Sequence, residues 1–555
     1  EYNYFQLKKM YILSCFKHNK LVYYIFLSLL FVQTISDEVD LTVNDAKIFE
    51  LDSLYVIEQI KFTKNSDEPF DYLFGIFEAS NYSALSNFLP IGMIKESEST
   101  NSGEISLVIN SPCAFKYIRY NPPKSNGKYI TNIKISRRAF SETDTPSGNY
   151  FTPTNLPLMI INTKNSEEPL SLENYIDSTI ILINGSNIIN QSASIKLRGH
   201  STATRPKKPY KIKFNNDKKE DLLGLGAFKK WAILANHYDK SLIRNILAFE
   251  ISKIVELKFT PNCKPVDVIV NGNFRGNYFI CDQIEVKKKR VDIEKNEGDD
   301  ISGGYLIEID KRATEEEKFF LTNKGLVGEI KYPDEDDITK EQENYIKQYL
   351  NKLEKYTYLG DLKYLDLPSF YRYFIVQEFC GDIDSMLSSF HCHKKKADDK
   401  LYFGPVWDYD LSFDNDDRLI PTNEKDKFAL YYGASAGSTR DFFINLLKTK
   451  DVMKNIEKTW TELKAGDFNI EKLKAFIDEQ KTLLEDSANL NSLKWYGSKI
   501  GKGKDDFANS VNVVINYIEK RFDSLTNLIA NFDFAGDILK INYFIFCLKI
   551  GRAHV

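Results

Sequence analysis

Near Asp336 the hydrophobic pattern of this chain changes period, and that change limits its fold more than any other feature. Before it, apolar residues come in short runs such as Leu54-Tyr-Val-Ile57, Ile105-Ser-Leu-Val-Ile109, Leu158-Met-Ile-Ile161 and Thr179-Ile-Ile-Leu-Ile183, broken by Asn, Ser, Pro and Gly. Short runs bounded by turn residues read as strands. Beyond Asp336 the pattern is mostly helical, with long charged amphipathic stretches between about Val452 and Phe532. Strands first and helices second argue for an α+β chain.

The front of the chain divides further. Residues 37–140 read as a small all-β sandwich, because strand after strand is followed by a turn cluster. In Phe115-Lys-Tyr-Ile-Arg-Tyr120, alternate residues face opposite sides. Residues 141–155 are a polar linker, and residues 156–535 form the main domain. Within it an amphipathic helix follows Ser241, and two strands flank the Asn271-Gly-Asn273 turn.

A chain of 555 residues with 43% hydrophobic content can build two or three cored domains. With 78 acidic against 74 basic residues the net charge is −4, which gives no whole-protein attraction to nucleic acid. Lys17 and Lys20 precede the apolar stretch Leu21–Val32 and the small residues up to Ser36. That order describes a secretory signal peptide within residues 1–36, with Met10 as the start, and predicts a secreted or cell-surface glycoprotein. A retained signal anchor is the alternative. Residues 536–555 end in an adaptor-like stretch and are set aside as a non-native tail. Of seven cysteines, Cys263 and Cys281 bracket the hairpin and are the favoured disulfide, with free buried thiols as the other reading. Asn81, Asn184 and Asn190 begin glycosylation sequons expected in turns.

Four segments carry candidate chemistry. Asp382-Ile-Asp384 ends the apolar helical run Phe370–Phe379, and Trp407-Asp408-Tyr409-Asp410 follows a short strand and Gly404-Pro405. Phosphoryl transfer places one carboxylate on the incoming hydroxyl and another on the nucleotide's metal; acidic helix caps would show the same spacing. Arg198-Gly199-His200-Ser201-Thr202 leads into Lys207-Lys-Pro-Tyr-Lys-Ile-Lys-Phe214, where Lys211 and Lys213 share a face opposite Tyr210, Ile212 and Phe214. Such a basic hairpin suits either phosphate or plain solvent. In Trp231–Asn245, Asp239 or Ser241 can cap the following helix, with a surface salt bridge nearby, and Glu250 lies inside that helix. His391-Cys392-His393 lacks a second ligand pair at zinc spacing and reads as strand packing.

In chain order, Leu197-Arg-Gly-His-Ser-Thr202, Lys207-Lys-Pro-Tyr-Lys211, Leu234–Asn245, Asn271–Tyr278, Gly303–Asp310, Gly381-Asp-Ile-Asp-Ser385 and Tyr402-Phe-Gly-Pro-Val-Trp-Asp-Tyr-Asp-Leu-Ser-Phe413 resemble the spore-coat protein H (CotH) kinase family. The resemblance implies an atypical protein-kinase-like, two-lobed domain, with a β-rich N-lobe and a helical C-lobe. It further implies transfer of the ATP γ-phosphate, with Mg²⁺ or Mn²⁺, to hydroxyls of secreted or surface proteins. Asp384 matches the catalytic-loop aspartate and Asp408 the metal-binding one, with Asp410 beside it. Arg198, Ser201, Lys208 or Lys211 would meet the phosphates, Glu250 would be the helix partner, and Asp282 would begin the connection between lobes. Four positions depart from the family pattern: Asp382 and His200 stand where Asn is commoner, Asp282 where Glu is commoner, and Ser389 replaces a metal-binding Asn. A weak or inactive kinase-fold surface protein, an adhesin, invasin or coat component as among some fungi, is therefore the alternative. The closing strands of the front module are similar to discoidin-like sandwiches, which implies a carbohydrate or cell-surface ligand. Paired carboxylates also cleave glycosides, but that reading leaves the basic strands unexplained.

Overall fold

Strands fill the front half because their apolar residues alternate or run continuously over lengths too short for helices. The computed structural model describes residues 37–532 except 42–47, 66–70, 84–86, 96–103, 124–129, 141–148, 200, 297, 316–317, 335, 383–387, 416–427, 430–436 and 497–502. The leader, most of the linker, His200, Asp384 and the tail lie outside the described residues.

Seven strands open the fold: β1 (Asp37–Leu41), β2 (Ile48–Lys64), β3 (Ile76–Ser80), β4 (Leu89–Met93), β5 (Glu104–Val108), β6 (Phe115–Asn121) and β7 (Ile130–Ala139). They form one sheet in the order β1-β7-β2-β6-β3-β4, with β5 also pairing the long β2. The pairings described among them are antiparallel.

The next strands are β8 (Leu158–Thr163), β9 (Ile176–Asn184), β10 (Asn187–Leu197), β11 (Tyr210–Phe214), β12 (Glu220–Asp221), β13 (Ala227–Phe228), β14 (Lys230–Leu234), β15 (Cys263–Val270) and β16 (Asn273–Cys281). All but the small β12-β13 ladder close into a barrel, β10-β11-β14-β16-β15-β8-β9. Its interior holds Met159, Ile161, Ile180, Leu182, Tyr210, Ile212, Phe214, Trp231 and Tyr278. The other faces of β8 and β9, Leu158, Ile160, Ile181 and Ile183, join the core of the front sheet. Burial on both faces is why these two strands read as continuous apolar runs rather than alternating ones. On β11 the expected alternation holds: Tyr210, Ile212 and Phe214 are buried while Lys211 and Lys213 are half-buried. Asn184 does lie at a hairpin turn, but Asn190 sits inside β10, so the turn expected at that sequon is a strand instead.

The described residues up to Ala235, with Lys264–Ile280 and Leu483–Gly503, form one unit. The second unit comprises Asn236–Cys263, Cys281–Thr482 and the residues from Lys504. It contains the antiparallel sheet β18-β19-β17-β20-β21, built from β17 (Tyr305–Ile309), β18 (Phe319–Leu321), β19 (Val327–Tyr332), β20 (Phe390–Lys394) and β21 (Leu401–Phe403). Helices α1 (Arg244–Ile254), α2 (Lys340–Tyr358), α3 (Leu367–Cys380), α4 (Ser438–Lys448) and α5 (Val452–Ala465) also belong to it. α6 (Ile470–Tyr496) contributes its first half, and α7 (Gly503–Ala530) follows. Thr339 and Gln342 form a capping box at the start of α2, and Asp366 accepts from Ser369 N at the start of α3. A disulfide joins Cys263 and Cys281, the pair expected from the hairpin. No described helix is long and apolar enough to cross a membrane.

Candidate active site

The segment after β14 explains why two polar residues stand on the buried face of α1. Asp239 is buried and accepts from Ser241 N (2.9 Å), Ser241 Oγ (2.5 Å) and Arg244 N (2.9 Å). It also pairs with Arg244 Nη1 at 2.5 Å, both side chains being out of solvent. Asp239 thus takes up the first helical N–H of α1 although the N-cap position itself is Ile243, which caps nothing with its side chain, and the salt bridge expected at the surface is internal. A buried ion pair is tolerated only where further hydrogen bonds satisfy its remaining groups. Arg244 meets that condition by donating Nε to the Ser412 carbonyl (2.9 Å) and Nη2 towards that of Phe413 (3.4 Å). Asn245 accepts from Tyr409 N at 2.7 Å and donates to Asn236 Oδ1 at 3.3 Å. Two adjacent residues of α1 therefore hold the turn that follows Trp407.

That turn is shaped around Asp408. Gly404 N donates to the His391 carbonyl (2.9 Å), so the chain leaves β21 alongside β20. The Trp407 ring stacks on Phe249 of α1, with centroids 6.1 Å apart. Tyr409 is fully buried, and its hydroxyl accepts from Gln377 of α3. Between these anchors Asp408 takes the left-handed conformation, φ 67°, and its side chain is exposed. Left-handed backbone is uncommon outside glycine and clusters at functional sites. Asp410 is buried, and its carbonyl accepts from Asn415, whose amide also reaches the Tyr238 carbonyl (3.0 Å).

The same turn packs on the end of α3. Phe413 N donates to the Cys380 carbonyl at 2.8 Å. Gly381 ends α3 with φ 66°, and a Cβ there would collide with the Tyr517 hydroxyl of α7, so both backbone and space favour glycine. Glu378, fully buried, pairs with Arg521 of α7 at 3.2 Å and accepts from Ala429 N at 2.6 Å. Asp382 follows, buried; burial first, then Tyr373 and then the Asp382 charge push the Tyr409 hydroxyl well above its usual range. The Asp408 turn and the end of α3, remote in sequence, meet at this corner.

Other expected site residues sit as follows. Ser389 opens β20 with φ 59°, its carbonyl 3.0 Å from His391 Nδ1. Glu250 is half-buried on α1. The Asp282 carboxylate is taken up internally, by Arg290 Nε (3.1 Å) and by Asn262 N (3.0 Å) and Nδ2 (3.1 Å). In the first unit, Arg198 is half-buried just after β10, and Ser201 is exposed. Lys208 donates to the Ala203 carbonyl at 2.7 Å, and Lys211 lies opposite Lys196 in the β10-β11 ladder. Lys207 is fully buried on Asn277 O (2.5 Å) and Asn491 Oδ1 (2.7 Å), a packing lysine.

His393 is buried with Nδ1 3.0 Å from the Gly404 carbonyl oxygen, stacked on Tyr402 and edge-on to Phe259. Burial lowers its pKa to about 4. Among the described residues no group of three or more His, Cys, Asp or Glu side chains is placed to hold a metal. The work of Arg244 and Asn245 was not read from the sequence. The signal was there, since a buried polar residue on an apolar helix face must find a partner.

Among solved structures, CBM62 from Clostridium thermocellum Xyl5A is similar at 16% identity over 20% of this chain and 100% of its own, with a TM-score of 0.15, too slight to argue from. No curated protein matches. The family model described as CotH kinase protein matches residues 195–525, more than half of the chain and the whole run of motifs described above. The chain belongs to the CotH kinase family and is a kinase-like protein.

Proposed function

We propose that this chain is a secretory-route protein kinase that transfers the γ-phosphoryl group of ATP to hydroxyls, Ser foremost, of secreted or cell-surface proteins. One observation carries the reading: the Asp408 turn docks on the end of α3, Phe413 N to Cys380 O at 2.8 Å, beside the residues that lead into Asp384. Asp384 is the residue for orienting the acceptor hydroxyl and taking its proton. Asp408, with Asp410 next to it, offers hard carboxylate oxygens, the donor type that Mg²⁺ and Mn²⁺ prefer. A nucleotide-bound Mg²⁺ needs only one or two protein carboxylates, because phosphates and water complete its shell. The exposed carboxylate of Asp408 fits that requirement. When bound, the metal supplies neutralising charge at the phosphates. Arg198, Ser201, Lys208 and Lys211 are proposed for the phosphates; Lys208 keeps two further N–H donors beyond its bond to Ala203. Glu250 is proposed as the helix partner. The Cys263–Cys281 disulfide suits an oxidising compartment and supports the secretory assignment.

The test is incorporation of labelled phosphate from ATP with Mg²⁺ or Mn²⁺ into a secreted acceptor. Asp384→Asn and Asp408→Ala should each abolish it while melting like wild type. Equal incorporation by all three proteins would reject the assignment.

Ser389, where the family has a metal-binding Asn, favours a second reading: a kinase-fold surface protein that binds rather than phosphorylates. A hydroxyl is a poorer ligand than an amide oxygen. Nucleotide at 100 times Kd should add about 2.7 kcal/mol to stability if the kinase reading holds. No shift with any nucleotide–metal pair would favour the binding protein.

A further inference from the structure

The first unit contains a groove that the kinase reading does not use. It has a volume of about 730 Å³ and is lined by the approach to β4, the end of β6, the turn after β8, and strands β9 and β10. That volume is in the usual range of small-molecule sites, about 300–1,000 Å³, but such sites are mostly apolar with a few polar groups. Here the ratio is reversed. Amide and hydroxyl side chains dominate, and Phe88 and Ile181 are the apolar exceptions among the lining residues.

Several of these polar groups are unused by the fold. Asn162, Asn165, Asp177 and Thr179 make no side-chain hydrogen bond among the described residues. Arg119 is held in a fixed plane: Nε donates to the buried Glu78 at 2.6 Å, and the guanidinium lies 4.1 Å from the Phe88 ring centroid. Its other N–H groups have no second partner among the described residues. At the rim, Asn165 and Ser166 both take positive φ, 56° and 57°. Consecutive non-glycine residues in that region are strained, and such strain clusters at ligand clamps.

The charge balance selects the ligand. Arg119 is neutralised by Glu78, and Lys164 is offset by Asp177. A phosphate-bearing or polyanionic ligand requires an excess of cations that this lining lacks. Unengaged amides, one carboxylate and one preorganised guanidinium suit a neutral molecule dense in hydroxyls. We propose that this groove binds a neutral glycan chain, with Arg119, Asp177 and Asn162 as its principal hydrogen-bonding residues. The proposal is independent of the kinase reading.

The glycan could belong to another molecule or to the chain itself, because Asn190 of the Asn190-Gln-Ser192 sequon lines the groove. Full-length chain from a bacterium that attaches no N-linked glycan should be screened on neutral mannose-, glucose-, galactose- and xylose-based oligosaccharides. Heparin and inorganic pyrophosphate serve as anionic probes. At least one neutral oligosaccharide should bind. Asp177→Ala and Asn162→Ala, which disturb no fold contact, should each weaken it about tenfold, as loss of a hydrogen bond to ligand implies, without changing the melting temperature. Protein from a glycosylating host separates the two sources. Unchanged binding there assigns the groove to an external glycan, whereas loss that Asn190→Gln restores assigns it to the chain's own. Binding to no neutral oligosaccharide, binding only to the anionic probes, or unchanged affinity in both alanine variants overturns the proposal.

Discussion

Replacing Arg244 with alanine should damage this protein more than any exposed charge change, and the reason can be worked through atom by atom. The guanidinium is buried, pairs with Asp239 at 2.5 Å, and donates to the Ser412 carbonyl at 2.9 Å. Removing one partner of a buried pair leaves the other as an uncompensated charge, which costs about 3–5 kcal/mol. Typical domains have only about 5–15 kcal/mol in all, so Arg244→Ala should unfold at much lower urea. Arg244→Lys keeps the charge but loses the planar fork, and should recover part of the loss. Asp239→Asn in the Arg244→Ala background should also recover part, because the stranded carboxylate is gone, and the two changes should couple by about 1–3 kcal/mol. The assay is urea unfolding of wild type, Arg244→Ala, Arg244→Lys, Asp239→Asn and the double variant, followed by phosphate transfer in buffer. Transfer by Arg244→Lys should fall more than its stability, because the Asp408 turn hangs on the two carbonyls that Arg244 holds. A loss below about 1 kcal/mol for Arg244→Ala, with no coupling to Asp239, would refute the argument.

Two other outcomes follow from the same corner of the second unit. Burial holds the His393 pKa at about 4 against an ordinary 6.5. The unfolded chain therefore takes up its proton first as pH falls, so this contribution is complete above about pH 6.5 and shrinks by about 3 kcal/mol on reaching pH 4. Urea midpoints across that window should slope accordingly, and His393→Phe should flatten the slope; an unchanged slope would remove His393 from the explanation. Gly381→Ala should cost about 2–4 kcal/mol, combining left-handed backbone strain with collision against the Tyr517 hydroxyl. Tyr517→Phe should relieve the steric part, and no relief would mean that the clash is not the cause.

Much of the fold was legible because local sequence periods are local physics. The alternation in Tyr210–Phe214, the continuous runs at Leu158 and Ile180, the Phe370–Phe379 helix and the Cys263–Cys281 pair all follow from residues close in the chain. Asp408 and Asp410 were legible as candidates because acidic residues beside buried aromatics need a reason. What Lys207, Lys208 and Asp282 do was not legible. The bond of Lys208 to a carbonyl within its own loop leaves no mark on the spacing of the basic residues. That Arg290 and Asn262 fill the oxygens of Asp282 could not be read from its spacing. The shared core of the front sheet and the barrel was hidden too, since an apolar run does not say what covers its second face.

By itself, then, the order of residues settled which stretches become strands and helices, where the chain must turn, and which family it joins, because each depends on spacing within a few residues or on matched motifs. Only the folded chain decided that Asp239, Arg244 and Asn245 grip the Asp408 turn, and that this turn lands on the end of α3. The contacts of Arg244 and Asn245 with that turn join residues more than a hundred positions apart, and its contact with α3 joins residues on separate elements. Which distant partner a polar side chain meets depends on how whole elements pack, and no period along the chain encodes it.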